Sequence, residues 1–314
     1  MSVRVGIGIG PFGGDDVSPG GLLRYVERVE ELGYDSIWLS DSATMAGPAP
    51  LPALAAIAAR TTRLKLGTSV LVAPARNAVL LAKELATVDA LSAGRLLPAF
   101  GLGIDSEPEA GAIGVVRAER AARTEEAIEI VRLLWSGGPV TYEGRFASLA
   151  GVTLSPAPLR PSLDIWLGGS SPAALRRTGR LADGWLGSFV SPEELTGCVQ
   201  RIVEAAGEAG REIDDDHYGT TLFAAPSQAS LSPAALSLLG LRPGLALDDH
   251  VAIGARALRE LLERFVEAGA SKFVVVPIAA DLSAWLEELR VEAVAPVEEI
   301  TGVPRQPEQR SEHE

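Results

Sequence analysis

The sequence predicts an α/β protein built as a single (β/α)8 TIM barrel. Short apolar segments of strand length alternate about eight times with longer amphipathic segments along the 314 residues. No linker rich in Pro, Gly or Ser divides the chain, and hydrophobic residues make up 47% of it, enough for a large core. In such barrels the carboxyl ends of the strands build the active site. The residues that follow each strand are therefore the candidates for function.

Four strand–helix units are predicted before residue 136. The strands are predicted at 3–9, 36–40, 64–71 and 95–100, and the helices at 22–32, 51–60, 81–91 and 120–135. Apolar residues recur at helical spacing in the first helix, where Leu22, Tyr25, Val26 and Val29 share a face. Residues 104–118 contain Pro, Gly and three acidic residues, and we predict an active-site loop there, inserted after strand four.

The second half of the barrel is interrupted twice. Before strand five, residues 137–161 contain a predicted hairpin at 142–146, and their prolines exclude a long helix. Strands are predicted at 164–167, 184–189, 217–225 and 272–277, and helices at 172–181, 192–210, 250–268 and 282–295. Residues 226–247 form an insertion after strand seven that is a candidate lid. We expect one barrel domain over residues 1–300 and a polar, disordered tail over 301–314.

Composition excludes several classes of function. The net charge of −13 repels phosphate backbones, so nucleic acid is not an expected partner. The single cysteine, Cys198, allows no internal disulfide and is expected to be a buried hydrophobic residue. No apolar run reaches membrane-spanning length, and residues 1–10 lack the features of a signal peptide. We therefore expect a cytoplasmic enzyme without membrane contact, acting on a small molecule.

The strongest local motif is the turn of Gly168, Gly169, Ser170 and Ser171 between strand five and the next helix. Its glycines allow a ligand to approach the backbone, a serine can cap the helix, and Pro172 suits the first helical position. Free N–H groups at a helix N-terminus bind anions, so we predict a phosphate site. Arg176 and Arg177 could add charge. An ordinary capped helix is the alternative.

Other strand ends carry weaker signals. Asp41 follows strand two, where an acid either contacts a ligand or binds backbone N–H groups. The Thr68-Ser69 pair ends strand three, where small hydroxyl residues also fill narrow barrel interiors. Asp105, Glu107 and Glu109 are expected to be solvated loop acids, although one of them could line the cavity.

Three further kinds of site are disfavoured. Gly8, Gly10 and Gly13 match a dinucleotide-binding fingerprint, but Pro11 lies inside the turn and the helix begins late. The three histidines are scattered, so no metal site is predicted. The chain has no G-x-S-x-G elbow typical of serine hydrolases.

Seven segments, in order, resemble one family. They are 33–41 (GYDSIWLSD), 66–70 (LGTSV), 91–96 (LSAGRL), 101–103 (GLG), 123–135 (RTEE ahead of LLW), 165–170 (IWLGGS) and 182–185 (ADGW). Through them the chain is similar to the luciferase-like monooxygenases, which are (β/α)8 oxidoreductases that use a flavin or a deazaflavin. The last third of the chain matches only in its strand–helix rhythm.

The resemblance implies where a cofactor would bind. In the family, a non-prolyl cis peptide ends strand three and contacts the back of the flavin ring, which places it at Ser69-Val70. The glycine turn would hold the cofactor phosphate, and homodimers are expected by analogy. The implied cofactor-binding residues are Asp41, Ser69, Val70, Leu102, Gly103, Gly168, Gly169, Ser170 and Ser171.

The implied cofactor is F420, with FMN as the alternative. Many F420-dependent members have Asp-His at the end of strand two, where this chain has Asp41-Ser42; these two are the predicted catalytic residues. Members that oxidise sugars or alcohols tend to have Glu where this chain has Ile104. The expected function is hydride transfer to or from a small organic substrate, or its oxygenation. An NAD(P)-dependent dehydrogenase and a non-catalytic flavin-binding relative are the alternatives.

Overall fold

The protein is described by a computed structural model covering residues 2–12, 18, 20–160 and 163–300. The strands of these residues are β1 (Arg4–Ile9), β2 (Ser36–Leu39), β3 (Lys65–Thr68), β4 (Leu71–Val72), β5 (Leu96–Leu97), β6 (Ala99–Gly101), β7 (Val140–Glu143), β8 (Ser148–Val152), β9 (Trp166–Gly168), β10 (Gly184–Ser188), β11 (Tyr218–Ala225), β12 (Val251–Ile253) and β13 (Lys272–Pro277).

The α-helices of the same residues are α1 (Leu22–Glu31), α2 (Pro50–Ala58), α3 (Ala78–Leu91), α4 (Glu107–Ile113), α5 (Arg117–Trp135), α6 (Pro172–Leu181), α7 (Pro192–Glu208), α8 (Pro233–Leu239), α9 (Ala255–Glu267), α10 (Leu282–Leu289) and α11 (Ala295–Glu298). Short 3-10 turns span Ala73–Ala75, Gln228–Ser230 and Leu247–Asp249, and a π-helical turn spans Arg290–Val294. No helix among the described residues is both long and apolar enough to cross a bilayer.

The parallel strands form a closed ring. Strand β1 pairs with β2 on one side and β13 on the other. The third strand of the barrel consists of β3 and β4, and the fourth of β5 and β6. These halves pair as β3 with β5 and β4 with β6. From β6 the order continues through β9, β10 and β11 to β13. The predicted (β/α)8 barrel is confirmed.

Aromatic side chains fill part of the barrel interior. Trp38 and Trp166 form a buried cluster with Ala99, Leu186 and Val274, which come from five different strands. Strands on several sides of a barrel meet only in its interior, so this cluster lies there. A Cβ at Gly67 or Gly184 would overlap one of the two indoles. These glycines therefore make room for the tryptophans that close the barrel below the site.

Two predicted elements were wrong in detail. The loop predicted at 104–118 contains α4, which has a Pro in its first turn and ends at Gly114 in the left-handed conformation (φ 68°). Pro in the first turn and Gly after the last turn are both typical of a helix. This helix is short, with seven residues. The helix predicted from 250 starts at Ala255, because residues 251–253 form β12 and pair with β11.

Most other elements confirm the prediction. Helix α6 and strand β13 have the predicted bounds, and the predicted hairpin is β7–β8, an antiparallel pair. The insertion at 226–247 contains α8. Cys198 is buried as expected, with 7% of its surface exposed, and burial raises the pKa of its thiol. The predicted tail at 301–314 lies outside the described residues.

Candidate functional site

A cavity of about 510 Å³, here called the central cavity, lies at the carboxyl ends of the barrel strands. It is lined by Gly10, Pro11, Phe12, Ser40, Asp41, Met45, Ser69, Val70, Val72, Gly101, Leu102, Gly103, Ile104, Gly168, Gly169, Ser170, Ser171, Ala174, Arg177, Ser188, Phe189, Thr221, Phe223, Leu238, Leu239, Leu241 and Val276. Every residue predicted to bind a cofactor is in this lining. The structure therefore brings together segments that the sequence separates by up to 130 residues.

Strand three is interrupted between β3 and β4 by a cis peptide bond from Ser69 to Val70. The cis bond expected from the family resemblance is confirmed. Val70 packs with the interior cluster and lies between two other strands. A Cβ on Gly101 would overlap Val70 Cγ2, and one on Gly168 would lie 3.0 Å from Val70 Cγ1. Glycine at both positions therefore leaves space for the valine in the cavity floor.

The end of strand two contacts residues 69–72 around the cis bond, here called the bulge. Asp41 Oδ2 accepts a hydrogen bond from the Val72 N–H at 2.9 Å and pairs with Arg76 Nη2 at 3.0 Å. Ser40 Oγ donates to the Ser69 carbonyl at 3.2 Å. The Asp41 side chain is 12% exposed. Asp41 thus lines the central cavity while one of its oxygens is committed to the neighbouring strand.

Ser42 is not in the cavity lining. Its Oγ donates to Glu109 Oε2 at 2.8 Å and accepts from the Met45 N–H at 3.0 Å. Glu109 also accepts hydrogen bonds from the N–H groups of Ala43 and Thr44 and from the Thr44 hydroxyl. These contacts favour a role for Ser42 in shaping the loop, and its catalytic role stays a prediction.

The expectation that Glu109 is a solvated loop acid was wrong. Only 2% of its surface is exposed. The helix α4 directs it inward, where hydroxyl and backbone donors of the 42–45 loop replace water. Burial by itself would raise the pKa of Glu109, but the hydrogen bonds from Thr44, Ala43 and Ser42 outweigh burial and the net pKa is lowered. The carboxylate is therefore ionised at neutral pH and ties α4 to the end of strand two.

The glycine turn (Gly168–Ser171) has the geometry of an anion site. Gly169 has φ 99°, a conformation that favours glycine, and its carbonyl accepts from Trp185 Nε1 at 2.9 Å. Ser171 caps α6, with its Oγ accepting from the Ala174 N–H at 3.2 Å, and Pro172 is in the first turn. The remaining N–H groups of a first turn have no acceptor within the helix. They can bind an anion in the cavity.

Arg177 is the cationic residue that lines the cavity together with the glycine turn. It lines the cavity, is 9% exposed, and donates from Nε to Glu125 Oε1 at 2.9 Å. Arg180 donates to the other oxygen of the same carboxylate but does not line the cavity. Arg176 is exposed. Helical spacing could have shown that only one of the three arginines faces the strand end.

Leu102 and Gly103 continue from strand four along the cavity wall. Gly103 has φ 79°, and a Cβ there would lie 2.9 Å from Ile113 Cδ1 in α4. Arg120 of α5 is 2% exposed and donates from Nη1 to the Ile104 carbonyl at 3.1 Å. This buried arginine supports the 102–104 segment from behind. No local sequence pattern predicts this contact, because the partners of Arg120 are backbone carbonyls.

One part of the site was not predicted. It consists of apolar lining residues, several of which pack in one cluster that contains Phe12, Phe189 and Phe223. These residues, here called the apolar end, are Pro11, Phe12, Met45, Phe189, Phe223, Leu238, Leu239, Leu241 and Val276. Hydrophobic residues carry no local motif for a binding site. Only the insertion at 226–247 had been identified, as a candidate lid.

The disfavoured sites also have positions in the structure. Gly10, Pro11 and Phe12 line the cavity, Gly13 lies outside the described residues, and α1 begins only at Leu22. A dinucleotide fingerprint requires the helix to start at the glycines. The glycines therefore do not support the alternative of an NAD(P)-dependent dehydrogenase.

Two acidic residues and a histidine lie close together just before β11. The side-chain oxygen and nitrogen atoms of Asp214, Asp216 and His217 that could bind a metal lie within 4.8 Å of one another. Asp216 already pairs with Lys272 Nζ at 3.1 Å, at the opposite end of the barrel from the cavity.

Comparison with known families gives a match over most of the chain. The family model described as luciferase-like monooxygenase matches residues 3–268. The F420-dependent glucose-6-phosphate dehydrogenase of Kineococcus radiotolerans is 32% identical over 215 residues, which are 64% of this chain and 63% of that protein. The protein of the same name from Microbacterium testaceum is 35% identical over 211 residues, 64% of this chain and 62% of that protein. The matches therefore span less than two thirds of these relatives.

Solved structures share the fold at lower identity. An F420-dependent secondary alcohol dehydrogenase in complex with an F420-acetone adduct has a TM-score of 0.80 at 20% identity, covering 95% of this chain and 99% of that one. The oxygenating constituent of 3,6-diketocamphane monooxygenase from Pseudomonas putida, in complex with FMN, has a TM-score of 0.78 at 18% identity, covering 94% and 99%.

Proposed function

From the premise that the chain belongs to the luciferase-like monooxygenase family, we propose that it is an oxidoreductase that uses F420, or alternatively FMN, in the central cavity. It transfers hydride to or from a small organic substrate, or oxygenates it. The observation that carries the proposal is a single cavity at the strand ends, which joins the Val70 floor and the Asp41 side chain to the capped N-terminus of α6.

The residues present fit such a cofactor. Val70, lying between Gly101 and Gly168, offers an apolar surface for one face of a planar ring. The glycine turn, the first turn of α6 and Arg177 would hold the phosphate, and Leu102 and Gly103 would lie along the chain that joins ring and phosphate. A flavin or deazaflavin bound there supplies the hydride-transferring or oxygen-activating chemistry.

The side chains of the cavity wall position the ring and exclude water from it. Ser40 and Asp41 form hydrogen bonds to Ser69 and Val72, on either side of Val70, and so help to fix its position. Asp41 and Arg177 are the two ionisable residues among the described residues of the lining. Asp41 is therefore our candidate for polar contacts at the reactive edge of the ring. The apolar end excludes water from that edge.

F420 is placed first because relatives at 32–35% identity are named as F420-dependent. Their glucose-6-phosphate dehydrogenase activity is not carried over with the cofactor. This chain has Ser42 where many F420-dependent members have His, and Ile104 where sugar- or alcohol-oxidising members tend to have Glu. Because of Ser42 and Ile104, a non-catalytic flavin-binding protein stays as the second candidate. An assay for turnover with reduced cofactor and oxygen distinguishes the enzyme from this second candidate.

The proposal is tested by titrating the purified protein with F420 and, separately, with FMN while following cofactor fluorescence. We expect saturable binding of at least one. The variant Arg177→Gln should weaken binding about tenfold or more, because a charge-assisted phosphate contact is lost. The matched control is Arg180→Gln, which removes the other partner of Glu125 but no cavity residue. Absence of binding by both cofactors, or equal weakening in both variants, would refute the phosphate site.

The expected homodimer, the cytoplasmic location and the organisation of residues 1–300 as one domain are further parts of the proposal. They follow from the family resemblance and the composition. Light scattering on the purified protein measures the oligomeric state, and limited proteolysis measures the domain bounds.

A further inference from the structure

The central cavity has two chemically different ends. One end is the glycine turn with Arg177, which offers backbone N–H groups and a positive charge. The other is the apolar end, in which two phenylalanines, Phe189 and Phe223, have ring centroids 5.7 Å apart. Phe12 packs edge-on against Phe223 at 6.2 Å. A ligand that fills the cavity therefore meets a polar wall at one end and aromatic and aliphatic side chains at the other.

The strand order puts the glycine turn and residues 10–12 on opposite sides of the barrel, whereas Phe189 follows β10, next to β9. Around the closed ring, β9 and β1 are separated by four positions in either direction. The glycine turn follows β9, and residues 10–12 follow β1. A cofactor whose phosphate lies at the glycine turn would have its ring over Val70 in the floor of the cavity. The space that remains for a substrate is at the apolar end.

No free positive charge is available at that end among the described lining residues. Arg177 is not among the residues of the apolar end, and Asp41 is already paired with Arg76. Arg242 of the insertion lies nearby, but its guanidinium donates to the Phe189 carbonyl at 2.6 Å and pairs with Glu194. A phosphorylated substrate would be buried there without a counter-charge, which is strongly unfavourable.

The mouth of the cavity is apolar as well. Leu241 of the insertion is 51% exposed and Ile104 is 37% exposed, and both belong to the lining. Two large hydrophobic side chains held in water at the rim of a cavity are typical of an apolar ligand site. Helix α8, which provides Leu238 and Leu239, covers the same end.

We infer that the substrate is an uncharged, largely apolar small molecule that binds between α8 and the floor of the cavity, and is not a sugar phosphate. The inference rests on the proposed function, since the cofactor must occupy the polar end. It concerns the substrate class alone, so it can fail while the cofactor site is right.

The test compares probes on the cofactor-loaded protein. Cyclohexanol and glucose 6-phosphate are titrated separately while the fluorescence of the bound cofactor and the thermal midpoint are followed. We expect cyclohexanol to bind at least tenfold more tightly. Leu238→Asn, which places an amide in the lining, should weaken the binding of cyclohexanol about tenfold and leave the affinity for the cofactor unchanged. Leu236→Asn is the matched control on the same helix, because Leu236 is exposed and is not in the lining.

The outcomes separate the two proposals. Cofactor binding with equal or tighter binding of glucose 6-phosphate would overturn the substrate class and leave the proposed function standing. Cyclohexanol binding that Leu236→Asn weakens as much as Leu238→Asn would also overturn it. Failure of the wild-type protein to bind either F420 or FMN would instead overturn the proposed function.

Discussion

Asp41 and Val72 are joined by a hydrogen bond of 2.9 Å from the valine N–H to the carboxylate Oδ2. The bond connects the end of the second strand with the chain just beyond the Ser69-Val70 cis peptide. The same oxygen pairs with Arg76. One acidic side chain thus links the cavity wall, the bulge and the 3-10 turn that follows it.

We predict that Asp41→Ala lowers both stability and cofactor affinity. It leaves the Val72 N–H and the Arg76 guanidinium without their partner, which costs about 1–3 kcal/mol in the free energy of unfolding. The control is Asp35→Ala, which breaks the ion pairs of Asp35 with Arg4 and Lys65 at the other end of strand two. Urea unfolding and cofactor titration measure the two effects. Equal cofactor affinity in both variants would contradict a role for Asp41 at the site.

Gly101→Ala is predicted to destabilise the barrel by about 1–3 kcal/mol, because the new Cβ overlaps Val70. Adding Val70→Ala removes the overlapping methyl, so the double variant should be more stable than the sum of the single effects predicts. Urea unfolding of the wild type, both single variants and the double variant gives the coupling. Additive effects would show that the two residues do not compete for the same space.

Glu109→Gln is predicted to loosen the 42–45 loop at a cost of about 1–3 kcal/mol, because a neutral amide has one acceptor oxygen in place of two. The control is Glu107→Gln, an exposed residue of the same helix. Thermal unfolding measures the cost, and hydrogen exchange of residues 42–45 locates it. Faster exchange in both variants alike would argue against the contact.

The Glu109 contact also predicts a pH dependence. Its pKa is lowered in the folded protein, so its stabilisation is present above the unfolded pKa and is lost as pH falls through the folded pKa. The wild type should therefore lose more stability than Glu109→Gln when acidified from pH 7 towards pH 3. Parallel stability curves for the two proteins would exclude an ionised Glu109 as the cause.

His250 provides a second pH-dependent contact, next to the insertion. Its Nδ1 lies 3.1 Å from the Ala246 carbonyl and its Nε2 lies 3.0 Å from the Leu239 carbonyl. Burial is the main cause that lowers its pKa, although these carbonyls and Asp249 oppose it. The neutral form is therefore favoured on folding. Stability is full above the unfolded pKa of about 6.5 and is lost as pH falls below it.

We predict that His250→Gln reduces the loss of stability between pH 7.5 and pH 5, because glutamine does not titrate. His217→Gln is the control, a half-buried histidine at the other end of the barrel. Thermal unfolding at both pH values provides the comparison. If His250→Gln keeps the full wild-type loss, the histidine does not contribute to it.

The barrel and the glycine turn were predictable because their signals are local. Short apolar segments that alternate with amphipathic segments predict the strands and helices. Ser171, Pro172 and Gly169 indicate a helix cap and a turn within a few residues. The expected cis bond at Ser69-Val70 came from the family resemblance, since no short-range rule predicts it.

The contacts around the site were decided only by the tertiary structure. Glu109 had the composition of a loop acid, yet its partners in the 42–45 loop are 65 to 67 residues away in the chain. The apolar end draws Phe12, Phe189, Phe223 and Leu238 from four separate segments. The sequence by itself thus determined the barrel and the capped glycine turn, and its resemblance to a family gave the kind of cofactor to expect. The burial of Glu109, the hydrogen bond of Asp41 to the bulge and the apolar end of the cavity depend on which distant segments meet, because burial and charge pairing are set by all neighbours in space.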